Sequence, residues 1–215
     1  MRRSPCQIVA GSSAVSTVFG RMAMNAPLAL AEVATITSGL MSRSSRRPRV
    51  GFDILEVSAG FISIPTDDIL RLVERVESAG LKAKPEVGIQ FGAGGATTPE
   101  ELEQEGTRDV GFAIDLARRC LDAGAYMIMI ESEGITEEVT SWRTDVVATI
   151  ARELGLEKVM FEAADPEVFG WYVKNYGPEV NLFVDHSQIV QLECLRRGIW
   201  GTKSLWGRVV TYPGA

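Results

Sequence analysis

The sequence predicts an α/β protein on a parallel sheet of the (β/α)8-barrel (TIM-barrel) type, here with about five β–α units. Three observations predict it. Short apolar runs without alternation recur along the chain and take turns with segments of helical period, as strands buried on both faces and joined by helical crossovers do. A glycine closes every helical segment, a common helix stop. Each apolar run ends in an acid: Glu56, Glu86, Glu131, Glu162 and Asp185, at spacings of 30, 45, 31 and 23 residues. A carboxylate at the end of a buried strand is costly unless something there uses it. Alternation alone also fits a doubly wound sheet, but an acid at every strand end favours the barrel, whose strand ends converge on one mouth.

Taken in order, residues 52–58 (FDILEVS) form the first regular strand. Thr66 is a candidate N-cap, with Asp67 and Asp68 in the first turn of a helix over 67–79. Ile69, Leu72, Val73 and Val76 share its inner face, and Gly80 stops it. Residues 81–88 (LKAKPEVG) are the next strand, with Pro85 tolerable near its terminus. The glycine-rich stretch 89–98 matches neither a Walker nor a dinucleotide spacing. It reads either as a plain barrel loop or as a cradle of backbone N–H groups for an anion. After an acidic turn at 99–105, a helix over 110–123 turns Phe112, Ile114, Leu116, Ala117 and Leu121 inward.

The centre of the pattern is 126–131 (YMIMIE), apolar until it breaks into Glu131, Ser132, Glu133 and Gly134. Thr140 or Ser141 caps the helix over 143–154, which Gly155 stops. Residues 158–162 (KVMFE) are the fourth strand, and Pro166 opens the helix over 167–176. Residues 180–185 (VNLFVD) are the fifth strand, carrying Asn181, followed by a helix over 188–197 that Gly198 closes.

The first 49 residues read differently. Seven arginines against Glu32 give residues 1–50 a charge of +6, and the remaining 165 residues, with 15 basic and 27 acidic side chains, carry −12. Rich in Ser and Arg and lacking a sustained period, 1–49 resembles either an organelle transit peptide or a disordered leader. SRSSRRPR at 42–49 marks the boundary with a partial-barrel domain over 50–215. The acidic body disfavours nucleic acid, since no basic surface replaces counterions on phosphates. Cys6, Cys120 and Cys194 are odd in number and far apart, so reduced thiols are expected. No apolar run has transmembrane length. These features predict a cytoplasmic protein, or a plastid one if the leader is a transit peptide.

Carboxylates that converge repel, so some protonate or share a cation, and a hard divalent ion such as Mg²⁺ is the economical solution. Each of these acids also has a plainer reading, as a helix cap or ion-pair partner. His186 is the single histidine, which excludes a two-histidine metal site. Lys84 lies two residues before Glu86 and shares its strand face, as partner to Glu86 or as anchor for an anion. Arg143, Arg196, Arg197 and Lys203 read as solvated charges, and Trp142, Trp171, Trp200 and Trp206 as packing residues.

EVSAG at Glu56, KPEVG at Lys84, IMIESEG at Ile128, KVMFEA at Lys158, VNLFVD at Val180 and LECLRRG at Leu192 together resemble the phosphosulfolactate synthase family, most closely its plant heat-stress-associated branch. The resemblance covers residue 51 to about 210. It implies a (β/α)8 barrel that adds sulfite to phosphoenolpyruvate with Mg²⁺, or, in the plant branch, a role in acquired heat tolerance with weak or absent synthase activity. It implies Lys84, Glu86 and Glu131 as catalytic residues and Glu86, Glu131 and Glu162 as metal ligands. Glu56, Ser58, Glu162, Asn181 and Arg197 would bind a small anionic substrate, and homo-oligomers or stress-protein partners are expected. Three departures stand out. The enzymes' lysine pair after Glu-Val-Gly is Ile89 and Gln90 here, and their arginine after the glutamate matched by Glu131 is replaced by Ser132 and Glu133. The match also begins at the family's fourth strand, so an incomplete barrel is expected.

Overall fold

The computed structural model describes residues 8–11, 53–58, 64–89 and 110–199. Its strands are β1 (Ile8–Gly11), β2 (Ile54–Val57), β3 (Lys82–Val87), β4 (Ile128–Ile130), β5 (Val159–Glu162) and β6 (Leu182–Asp185). The helices are α1 (Thr66–Ser78), α2 (Gly111–Asp122), α3 (Thr144–Leu154), α4 (Pro166–Tyr176) and α5 (Ile189–Arg196), with a single 3-10 turn at His186–Gln188 before α5. The strands form one sheet in the order β1-β6-β5-β4-β3-β2, every pair parallel. From β2 to β6 each strand lies beside the one before it, with no reversal of order. That distinguishes the barrel type from a doubly wound sheet, whose order reverses at a switch point. Five β–α units in this order are an incomplete (β/α)8 barrel.

Alternation along the strands sorts side chains to two faces. Val57, Ala83, Val87, Ile128, Ile130, Val159, Phe161, Leu182 and Val184 join the main core with the apolar stripes of the helices. On α1 that stripe is Leu72, Val73 and Val76; on α3 it is Val146, Val147 and Ile150. The opposite face, the lumen side of a barrel, carries a small separate cluster: Met127, Met129 and Met160 with Tyr126 and Phe183. Ion pairs tie the helices laterally on the outside, Arg119 of α2 to Asp67 of α1 and Arg118 of α2 to Glu153 of α3, both at 2.8 Å.

The predicted helices are found within one or two residues of their expected bounds, as are their glycine stops. Gly155 shows why glycine is needed there. It has φ +83°, in the left-handed region that residues with a Cβ rarely adopt.

Several expectations need correction. Thr66 does not cap α1: Pro65 occupies the N-cap and its carbonyl accepts from Asp68 N at 2.9 Å. Arg143, not Thr140 or Ser141, precedes α3. Phe112 is 50% exposed at the start of α2, while Ala113 and Ile114 beside it are buried. Arg196 is buried, not solvated, and donates to the carbonyl of Val180 at 2.6 Å. Within 1–49 the described element is β1, which pairs with β6 in the register Ile8↔Leu182 to Gly11↔Asp185, an edge strand that composition did not suggest. The expected leader boundary, the glycine-rich stretch, Gln90, Lys203, Trp200 and Trp206 lie outside the described residues.

Candidate functional site at the carboxyl end of the sheet

Register brings the strand-end acids to one place. Glu56 of β2 pairs with Lys84 of β3, and Glu86 of β3 with Met129 of β4, so Glu86 and Glu131 end neighbouring strands on the same face. Ile130 pairs with Phe161, which sets Glu131 beside Glu162. Because side chains alternate with period two, Glu56, Ser58, Lys84, Glu86, Glu131 and Glu162 all point to the lumen face, above the methionine floor.

These side chains form a chain of contacts. Ser58 Oγ donates to Glu86 Oε2. Glu131 hydrogen-bonds both Glu86 and Glu162. Ser132 N donates to Glu131 Oε1 at 3.1 Å and to Glu162 Oε2 at 3.3 Å. Ser132 Oγ lies 3.0 Å from Glu162 Oε2 and 2.6 Å from Glu137 Oε2. Lys84, 3% exposed, places its Nζ 2.8 Å from Glu56 Oε2, 3.8 Å from the Met129 sulfur and 5.0 Å from the centre of the Phe183 ring. Among the described residues this buried cation has Glu56 as its carboxylate partner and a soft, apolar seat of Met129 and Phe183.

Three carboxyls in direct contact cannot all ionise cheaply. Burial first, and then the hydrogen bond and charge of Glu162 and the presence of Glu86, push Glu131 far above the usual carboxylate range. Burial and the charge of Glu56 also raise Glu86, against the bonds from Ser58 and Glu131, which lower it. Burial and its two acid neighbours thus hold Glu131 toward its protonated form. The same oxygens suit a hard divalent cation in place of that proton. They form a row, however. Among the described residues no group of three or more His, Cys, Asp or Glu is arranged to hold a metal. Two neighbouring carboxylates of Glu86, Glu131 and Glu162 could meet the Mg²⁺ habit of one or two protein carboxylates plus substrate oxygens.

Three expected residues stand elsewhere. Asn181 lies before β6, at the amino end of the sheet, where its Nδ2 donates to the carbonyls of Leu156 at 3.0 Å and Val159 at 3.3 Å. Arg197 caps the far end of α5, exposed and paired with Glu193. The bond from Arg196 to Val180 shows that this helix end, too, is at the amino side. Asp185 does end β6, but it is exposed and accepts from Ser187 N at 2.8 Å as cap of the 3-10 turn, which holds it below the usual range. His186 is exposed beside it at 3.2 Å. Sequence reasoning passed over Ser132 and Glu137. The signal available was the position of Ser132, directly after the most apolar strand and two acids' reach from its neighbours.

The family model for (2R)-phospho-3-sulfolactate synthase (ComA) matches residues 29–202 of this chain. Protein HEAT-STRESS-ASSOCIATED 32 of Arabidopsis thaliana is 40% identical over 158 residues, covering 69% of this chain and 55% of that protein. Phosphosulfolactate synthase of Methanothermobacter thermautotrophicus is 26% identical over 179 residues, covering 80% of this chain and 66% of the other. Among solved structures, N-acetylneuraminate lyase from Fusobacterium nucleatum superposes with a TM-score of 0.41 at 16% identity, over 68% of this chain and 48% of that one. The chain spans little more than half the length of its plant relative, 55%.

Proposed function

The chain belongs to the phosphosulfolactate synthase family, and from that premise we propose that it serves as a member of the heat-stress-associated kind. In this reading it is a barrel-type scaffold that contributes to acquired heat tolerance and has little or no synthase activity, in the cytoplasm or in a plastid. No helix among the described residues is long and apolar enough to cross a membrane.

One observation carries the reading: the charge balance of the mouth. Among the described residues Glu56, Glu86, Glu131 and Glu162 line it, and Lys84 faces them as a cation engaged by Glu56. The positions where the resemblance implies a lysine and an arginine hold Ile89, which is buried, and Ser132, whose hydroxyl serves carboxylates. Phosphoenolpyruvate and sulfite together bring roughly four to five negative charges, whose mutual repulsion in a partly dry site amounts to several kcal/mol. A lost charge-assisted contact costs roughly 1.5–3 kcal/mol, so a lysine pair and an arginine are worth about 4–9 kcal/mol. At about 1.36 kcal/mol per factor of ten, that slows turnover by about a thousandfold to a few millionfold.

A second reading, a Mg²⁺-dependent carbon–sulfur lyase or synthase, is favoured by the intact row of Lys84, Glu86 and Glu131. There two neighbouring carboxylates of Glu86, Glu131 and Glu162 would hold the ion, which supplies Lewis-acid stabilisation of an enolate oxygen. Lys84 would serve as an acid or as the anchor of an anionic group. The separating measurement is phosphosulfolactate formation from phosphoenolpyruvate, sulfite and Mg²⁺, by this chain and by a version extended to its relatives' length. Negligible product is expected; turnover of about one per second by either would overturn the first reading in favour of the second.

A further inference from the structure

We infer that Ser132 is a positioning residue, which seats the Glu162 carboxylate at the mouth by gripping one of its oxygens, while Glu137 fixes Ser132 from the loop. The inference rests on the reading of the mouth as a place for a divalent cation.

Ser132 is 2% exposed and follows β4 directly, and both of its donors reach Glu162 Oε2. The N–H does so at 3.3 Å while also 3.1 Å from Glu131 Oε1, and the hydroxyl at 3.0 Å while also 2.6 Å from Glu137 Oε2. A carboxylate held by one oxygen in this way presents the other in a fixed direction. The grip is itself anchored. The carbonyl of Ser132 accepts from the N–H groups of Ile135 and Thr136 at 2.9 Å and of Glu137 at 3.1 Å, and Gly134 N donates to Glu137 O at 2.9 Å. These bonds close residues 132–137 into a tight ring whose exposed member, Glu137, returns its carboxylate to Ser132 Oγ at 2.6 Å. Ser132 has a single hydroxyl hydrogen for two carboxylate oxygens. The loop and the strand end are thus joined through one side chain, and a change on the exposed loop alters what Glu162 receives.

The test uses the 215-residue chain with Mn²⁺ as probe, its affinity read by calorimetry and by the cation-induced rise in Tm. Removing a group that orients a metal ligand typically weakens binding 10- to 100-fold. S132A is expected to do so, and S132T, which keeps the hydroxyl, to restore it. In an E162Q background S132A should have no further effect, because Ser132 acts through Glu162; a purely structural role would leave the two losses additive. If circular dichroism shows S132A unfolded, E137Q, at an exposed position, carries the test and should bind more tightly than wild type, because the single hydroxyl hydrogen of Ser132 then goes to Glu162. Wild-type affinity in S132A, wild-type or weaker affinity in E137Q where S132A does not fold, or additive losses in the double variant, would overturn the inference alone. No Mn²⁺ binding by the wild type would overturn the cation reading and the inference together.

Discussion

Replacing Glu131 by glutamine should remove most of the pH dependence of stability between pH 6 and 8. Glu131 is an acid whose folded-state pKa is raised, by burial and by its neighbours Glu162 and Glu86. Below the unfolded value of about 4.5, folded and unfolded chains both carry the proton and nothing is lost. Above it the unfolded chain releases the proton while the folded chain keeps it, so unfolding becomes easier as pH rises. One proton held only by the folded state gives a slope of about −1.36 kcal/mol per pH unit, or about 2.7 kcal/mol between pH 6 and 8. A glutamine has nearly the same shape, needs no proton, and offers N–H donors to Glu86 and Glu162. The wild-type chain and E131Q are compared by urea unfolding at pH 6, 7 and 8 in a chelator, which keeps divalent ions from standing in for the proton. The variant should be more stable at pH 8 and its advantage should shrink toward pH 6. Parallel stability curves over this range would refute the assignment of the held proton to this row.

Other outcomes follow from the packing. N181A should lose about 1–3 kcal/mol in the same unfolding assay, since the buried carbonyl of Val159 and the half-buried one of Leu156 lose this donor. Its Mn²⁺ affinity should match wild type, because Asn181 stands at the other end of the sheet; weaker cation binding would show otherwise. K84M should destabilise by about 1–3 kcal/mol, the cost of leaving Glu56 without its cation while partly open to water, and K84M/E56Q should recover part of it. I150A, at a fully buried position on α3, should cost about 2–5 kcal/mol and leave the mouth's behaviour unchanged.

By itself the sequence determined strands β2 to β6, most of the helix faces, the glycine stops and the recurrence of acids at strand ends. Each of these rests on interactions within a few residues: alternation, the 3.6-residue period, and the ease with which glycine adopts positive φ. It also pointed to the parallel barrel type, because five β–α units in succession leave few sheet orders open and an acid at every strand end favours a common mouth. Which acids meet was decided only by the tertiary structure. Glu56, Glu86, Glu131 and Glu162 are 30 to 45 residues apart, and it is strand register that puts their carboxyls on one face and two of them in contact with Glu131. The same register leaves Asp185 exposed as a cap, although it ends a strand as they do. Asn181 and Arg197 show the converse. Their motifs pointed to the mouth, but Asn181 opens its strand and Arg197 ends its helix, and in a parallel sheet both positions lie at the amino side. The pairing of β1 with β6 joins residues about 170 apart, and the grip of Ser132 on Glu162 spans 30. No local pattern encodes such contacts, since their stabilisation appears only when the intervening chain has folded.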